Sequence, residues 1–230
     1  KDPSYLKIDN KPVISSYENS LDPNNFPAGP QAEADYLRQQ CIKAGFAGCI
    51  ILHEYRQANP ATMRNFKNSG IDYFYAYTWA TASTNSQQKG NLAQRDAAAG
   101  VGGIGMIPSV AIGWDTHAWQ NADGMNGCLA AGDYQGLLHW VKHSFVPTLP
   151  TNQLGANLVL VGNWNEFGEG HGLMPSTLAG FGYLDAIRDV FTDGGAHTDL
   201  TPSARQQARL DVLCPYRWGW TFPRPLVERK

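Results

Sequence analysis

The stretch Leu158-Val159-Leu160-Val161-Gly162-Asn163-Trp164-Asn165-Glu166-Phe167-Gly168-Glu169-Gly170 changes character halfway along. Its first four residues are apolar, two of them β-branched, with no helical period, and read as a strand buried on both faces. Directly after it come two amides, an indole and two carboxylates, closing on Gly168 and Gly170. A strand that is apolar along its body and polar at its carboxyl end belongs to parallel α/β architecture, where ligand sites lie beyond the strand ends. Residues three apart in a regular strand point to opposite faces. Glu166 and Glu169 therefore converge only if the chain bends between them, and Gly168 is expected to permit the bend. Two close carboxylates repel, and one of such a pair tends to hold its proton near neutral pH. That supplies an acid and a base side by side, as glycoside hydrolysis requires. A bland acidic loop is the alternative for a bare E-x-x-E spacing.

The same apolar-then-polar pattern recurs upstream. Residues 11–18 read as a first strand ending in Tyr17 and Glu18, and residues 46–52 as a second that delivers His53, Glu54, Tyr55 and Arg56. The aromatic run 73–79 makes a third, carrying Tyr77 and Trp79, and 104–112 a fourth, interrupted by Pro108 and ending in Gly113-Trp114-Asp115. Between them, Ala34, Leu37, Cys41 and Ala44 recur at helical spacing. Asn59-Pro60 makes a cap and first turn, and an Ala/Gln-rich helix covers roughly 86–99. Asp133 is expected to cap a helix with Leu137, Val141 and Phe145 on its inner face, and Tyr183, Ile187 and Phe191 carry the next. Thr201-Pro202 opens a last helix before an aromatic tail. Strand–helix alternation repeats without an antiparallel hairpin signal, so the expected fold is α/β with a parallel sheet. Five βα units are too few to close a (β/α)8 barrel, which takes about 250 residues.

Composition narrows the function. The 230 residues are 43% hydrophobic and 17% charged, which describes a globular chain forming one domain over 1–230. A net charge of −2 without a dense Lys/Arg cluster argues against nucleic acid and anionic membrane as partners. No apolar run reaches the roughly 18 residues of a membrane span. Seven Trp and ten Tyr favour a site that stacks on sugar rings, although aromatics also fill cores. No G-x-G-x-x-G follows the first strand, and neither a P-loop nor G-x-S-x-G is present. Cys41, Cys49, Cys128 and Cys214 form no C-x-x-C pair, and His171 has no second His near it, so no cofactor and no metal are expected.

Residues 163–170 resemble the N-x-W-N-E-W-x-E-G signature of the WbsX and glycoside hydrolase family 99-like proteins. Tyr5-Leu6-Lys7-Ile8-Asp9-Asn10-Lys11-Pro12-Val13 is similar to that family's Y-x-K-x-D-G-K-P-V segment, with Asn10 in place of Gly. Gly113-Trp114-Asp115 is similar to its G-W-D segment, and Gly182-Tyr183-Leu184-Asp185-Ala186-Ile187, less closely, to its G-Y-x-Y-L-x-A-I helix. Phe167 stands where the family has Trp, and Leu173-Met174-Pro175 stands where it has L-E-P, so a third carboxylate is absent.

The resemblance implies a TIM-barrel type (β/α)8 fold, of which these residues supply about the last five βα units. The first three would come from an upstream segment or a second chain. It implies a retaining, endo-acting glycosidase for α-linked, mannoside-like oligo- or polysaccharides. Glu166 would assist the sugar's own 2-hydroxyl as nucleophile, and Glu169 would be general acid/base. Trp164, Asn165, Trp114 and Asp115 would bind substrate. From strand-end position alone, Glu54, Tyr55, Tyr17, Glu18, Tyr77 and Trp79 are further sugar-contact candidates, as is His171, which follows the motif. A glycosyltransferase of polysaccharide assembly and a non-catalytic glycan-binding module are the competing readings.

Overall fold

A computed structural model of the chain describes residues 2–17, 28–79, 84–115, 125–176, 179–195 and 203–205. The chain divides into two units, Lys1–Gly194 and Gly195–Lys230. The second is described only at Gly195 and residues 203–205, of which Ala204 and Arg205 are helical. Glu18, Cys214, the helix start at Thr201-Pro202 and the aromatic tail lie outside the described residues.

The first unit opens with β1 (Lys7–Ile8) and β2 (Lys11–Ser16), paired antiparallel with Lys7 opposite Pro12. Asp9 and Asn10 between them have φ of +49° and +57°. A two-residue connection with both φ positive is the hairpin turn whose twist matches the strands, and short Asp and Asn side chains tolerate it. The expectation of a sheet without hairpins is corrected here, because Asp-Asn signals a tight turn less plainly than Asn-Gly or Asp-Gly.

From β2 onward the alternation is as expected. Pro30 starts α1 (Pro30–Lys43), and β3 (Ile50–Glu54) pairs parallel to β2 with Val13 beside Ile50. Asn59 caps α2 (Pro60–Asn68), its side chain accepting from the Ala61 and Thr62 N–H groups at 3.0 and 3.2 Å, a bond set worth about 1 kcal/mol. Next comes β4 (Tyr73–Tyr75), parallel to β3. A capping box between Thr84 and Gln87 opens α3 (Asn85–Gly102). Pro108 then splits the fourth strand into β5 (Gly105–Met106) and β6 (Ser109–Ala111), since proline has no N–H for a ladder. The Ile107 N–H still reaches Phe74 O at 2.8 Å, while Pro108 O accepts from Leu160 N–H at 2.8 Å on the other side.

A second antiparallel pair, β7 (Gly113–Asp115) with β8 (Met125–Cys128), departs from the parallel pattern at the end of β6. The helix α4 (Ala131–Trp140) follows, with Ala130 at the cap position and Asp133 inside the first turn, so Asp133 is not the cap. It runs on as a π-turn, Val141–Phe145, and a 3-10 turn, Val146–Thr148. Strand β9 (Leu160–Gly162) pairs parallel to β6, and α5 (Gly182–Phe191) packs on α4. The parallel strands β2, β3, β4, β5/β6 and β9 thus follow in chain order, an arc of βα units. Phe74, Met63, Leu92, Val110, Tyr134, Leu137 and Val141 are fully buried between this arc and its helices.

Candidate active site

Beyond β9 the chain folds on itself. Leu173 N–H donates to Asn163 O at 2.8 Å, Met174 N–H to Trp164 O at 2.9 Å, and His171 N–H to Glu166 O at 3.2 Å. The tip is a short 3-10 helix, Phe167–Glu169, with Glu166 at its cap position. Three residues per turn return position i+3 to the side of i, which turns Glu169 toward the side of Glu166. The bend expected at Gly168 is made this way instead. The left-handed residue is Gly170, at φ +68°, where a Cβ would meet Asp115 Cβ at 2.5 Å and Asp115 O at 2.8 Å. Cys128 fastens the loop to β8, its thiol donating to Gly170 O at 2.8 Å.

Glu169 is the most tightly held carboxylate of the loop. Its Oε2 accepts from the Tyr77 hydroxyl at 2.8 Å and lies 2.8 Å from His171 Nε2. A carboxylate oxygen only accepts, so Nε2 carries the proton. The Tyr77 phenol is raised above its ordinary value by burial first, then by the hydrogen bond to Glu169 and the charges of Glu169 and Glu166. It therefore stays a neutral donor, and both carboxylates act on it. His171 is fully buried, its ring against the edge of Tyr77 at 5.4 Å and against Trp114 at 5.6 Å between centroids. Its Nδ1 has no hydrogen-bond partner among the described residues. Glu166 and Asn165 are exposed beside it, as are Trp164 (55%) and Phe167 (49%). Trp114 and Asp115 are half-buried against His171 and Gly170. Tyr17 stands with its ring edge-on to Tyr77 at 5.3 Å, and its hydroxyl accepts from Arg56 Nη2 at 3.4 Å. Glu18 lies outside the described residues.

Four of the sequence-derived sugar contacts are placed elsewhere. His171 faces Glu169 rather than solvent. Glu54 has no exposure and works from behind, its Oε1 accepting the Tyr77 backbone N–H at 3.1 Å and pairing with Arg56 Nε at 3.0 Å. Tyr55 packs on Phe66 at 5.2 Å in the core. Trp79 is 4% exposed and donates its indole N–H to Ser109 O at 3.0 Å. Strand-end position alone does not say which side chains face the mouth, because both sheet faces are covered.

Two contributors were not singled out from the sequence. Cys128 meets Gly170 across 42 residues, and nothing local signals that contact. Arg95 lies buried on α3, its guanidinium 4.9 Å from the Phe74 and Trp79 ring centroids. Burial lowers it to about 9, against the opposing charge of Glu54. The signal for Arg95 was its place in the stripe Gln88, Leu92, Arg95, Ala99, a cation on the inner face of a helix. Among the described residues no three His, Cys, Asp or Glu side chains could hold a metal together, and no helix is long and apolar enough to cross a membrane.

No family model matches the chain, and no curated protein matches it in sequence. Solved structures do. A GH99 endo-alpha-mannosidase from Bacteroides thetaiotaomicron superposes with a TM-score of 0.52 at 20% identity, over 75% of this chain and 47% of its own. A second structure of a GH99 endo-alpha-mannosidase from that organism, in complex with bis-tris-propane, gives 0.52 at 18% identity, over 76% and 50%. The chain has a GH99-like fold. These neighbours are TIM-barrel glycoside hydrolases, and the chain spans about half of their length. The parallel arc described above is consistent with partial (β/α) units of such a fold.

Proposed function

We propose that this GH99-like unit is the carboxylate-bearing part of a retaining, endo-acting glycoside hydrolase for α-linked, mannoside-like glycans. The observation that carries the reading is the double anchoring of Glu169 at the end of β9, beside an exposed Glu166. With Oε2 held by Tyr77 and His171, the oxygen left for proton transfer is Oε1. In the first step Glu169 Oε1–H protonates the departing glycosidic oxygen. Glu166 takes the proton of the sugar's 2-hydroxyl, whose oxygen attacks the anomeric carbon as the glycosidic bond breaks. In the second step Glu169, now a carboxylate held by two donors, takes a proton from water. That water opens the intermediate at the anomeric carbon, and Glu166 returns the proton to the 2-oxygen. Glycosidases that use a substrate group as nucleophile are established exceptions to the two-carboxylate scheme. Trp164 and Phe167 offer exposed rings to sugar faces. The structural neighbours are endo-alpha-mannosidases, which supports the same substrate class.

The test is cleavage of α-mannan fragments, read as new reducing ends without any nucleotide sugar present. General acid catalysis contributes about 10²–10⁴-fold, so Glu169→Gln should lower turnover by that order with substrate binding retained. An activated aryl glycoside, whose leaving group needs no proton, should restore its first step but not that of Glu166→Gln. Wild-type rates in both Gln variants on a glycan the parent cleaves would end this assignment. Product that forms only with a nucleotide sugar would instead favour a transferase.

A further inference from the structure

Apart from the carboxylate loop, one pair of side chains has a chemistry that the proposed reaction leaves unused. His139 lies in the last turn of α4, and His143 in the π-turn Val141–Phe145 that continues it. Side chains four apart on a helix stand one above the other. Here the two imidazoles approach to 4.4 Å between centroids, at an interplanar angle of 42°. Both residues are exposed. Among the described residues, no hydrogen bond or ion pair engages either ring. The neighbouring ammonium groups are committed elsewhere: Lys142 Nζ donates to Val190 O at 2.5 Å and lies 5.7 Å from the Phe191 ring, while Lys89 Nζ sits 5.2 Å from the Trp140 ring.

We propose that His139 and His143 together bind one divalent transition-metal ion of the imidazole-preferring class, Cu2+, Ni2+ or Zn2+, with water in its remaining positions. Three physical arguments meet at this pair. Two imidazoles at i and i+4 form a two-armed chelate on one helical face, the spacing with which zinc helices present their histidines. The helix already holds the rings together, so little ordering remains to be done when the ion arrives. The π-turn that carries His143 is itself an uncommon geometry, of the kind that recurs at functional sites. Hard ions such as Mg2+ and Ca2+ prefer oxygen, and among the described residues no carboxylate joins this pair to make a three-ligand site. A bound ion would clamp the end of α4 to the π-turn. Lys142 and Val146 of that region line a groove of about 440 Å³ beside β9, so the ion would stiffen one wall of it.

The experiment is calorimetric titration of the metal-free 230-residue protein with ZnCl2 and with CuCl2. One equivalent is expected, with Cu2+ held more tightly than Zn2+ and no saturable binding of CaCl2 or MgCl2. His139→Ala and His143→Ala should each lower affinity by roughly 10²-fold or more, since each removes one arm of the chelate. Metal at about 100 times its dissociation constant should raise the parent's melting temperature by roughly 5–10 °C and that of either variant by no more than about 1–2 °C. Because both positions are exposed, metal-free melting temperatures should match the parent and so report intact folding. Retention of the full equivalent in the double variant, or no saturable binding at millimolar Zn2+ and Cu2+, overturns the proposal. Neither outcome bears on glycan cleavage.

Discussion

The positioning of Glu169 by His171 and Tyr77 makes separable predictions for single side chains. Losing one hydrogen bond to a charged group costs about 1.5–3 kcal/mol, or roughly 10–10² in rate when the bond positions a catalytic carboxylate. His171→Ala should therefore lower kcat by that factor with KM little changed, and His171→Gln, which keeps an N–H donor, should recover most of it. Equal losses in both variants would mean that the ring only fills space. A second prediction concerns alkaline pH. The folded Tyr77 phenol is raised above the unfolded value of 10.0, chiefly by burial. Its contribution to stability is thus complete below pH 10 and lost as the pH climbs past it. The Cys128 thiol moves the same way, from 9.0 to about 11, through burial and then the Asp115 charge, so its window opens earlier. Melting temperatures taken at increasing pH should fall between 9 and 11 less steeply in Cys128→Ser, and above 10 less steeply in Tyr77→Phe. Of these residues, Glu166 and Glu169 were legible in the sequence as a pair at a strand end. The partners that hold Glu169 were legible only as residue types, because Tyr77 reaches it across 92 positions.

Among the elements, those defined by local chemistry were the most readable. Asn59-Pro60 marked α2, Pro108 marked the break between β5 and β6, and the apolar run before Gly162 marked β9. The two antiparallel pairs were not readable. One depends on the paired positive φ of Asp9 and Asn10, and the other begins at Gly113, at φ +132° with Gly127 O against the face where a Cβ would stand. The first carries a prediction. Asn10→Gly, which fits a positive φ at no steric cost, should leave stability unchanged or slightly raised. Asn10→Val should cost about 1–2 kcal/mol, since a β-branched residue resists that region. Thermal melts of the two variants decide it, and equal stability would mean that the hairpin turn is not constraining β1. Gly170 is stricter, because Asp115 fills the space a side chain would need.

For the whole molecule, the arc of parallel strands has unequal edges. β1 covers the outer side of β2. On β9, Leu160 bonds toward β6, so alternation turns the N–H and C=O of Val161 to the opposite side. Among the described residues no strand takes them up. Val161 is 39% exposed, and the adjoining groove is lined by Val146, Val159, Ile187 and Phe191. An apolar open edge invites association unless covered. We expect three further βα units, upstream or on a partner chain, to complete the barrel against it. Light scattering should show the 230-residue chain self-associating, and a fusion or co-expressed partner carrying three such units should make it monodisperse. A monodisperse, fully active 230-residue monomer would contradict that expectation. The βα alternation carried this global inference from sequence, whereas the bare edge became visible only once the register of β6 and β9 was known.

The backbone pairing inside the loop after β9 sets how that loop can fluctuate. The Asn163, His171, Leu173 and Met174 amides all donate within one closed ring of contacts, so breaking any one of them exposes its neighbours. Such a segment exchanges its amide protons as a cooperative unit rather than fraying from one end. Glu166 and Glu169, carried on the same ring, are therefore presented together or withdrawn together. Deuterium uptake at these four positions should share a single rate-limiting opening, which would make the availability of the carboxylate pair a two-state quantity.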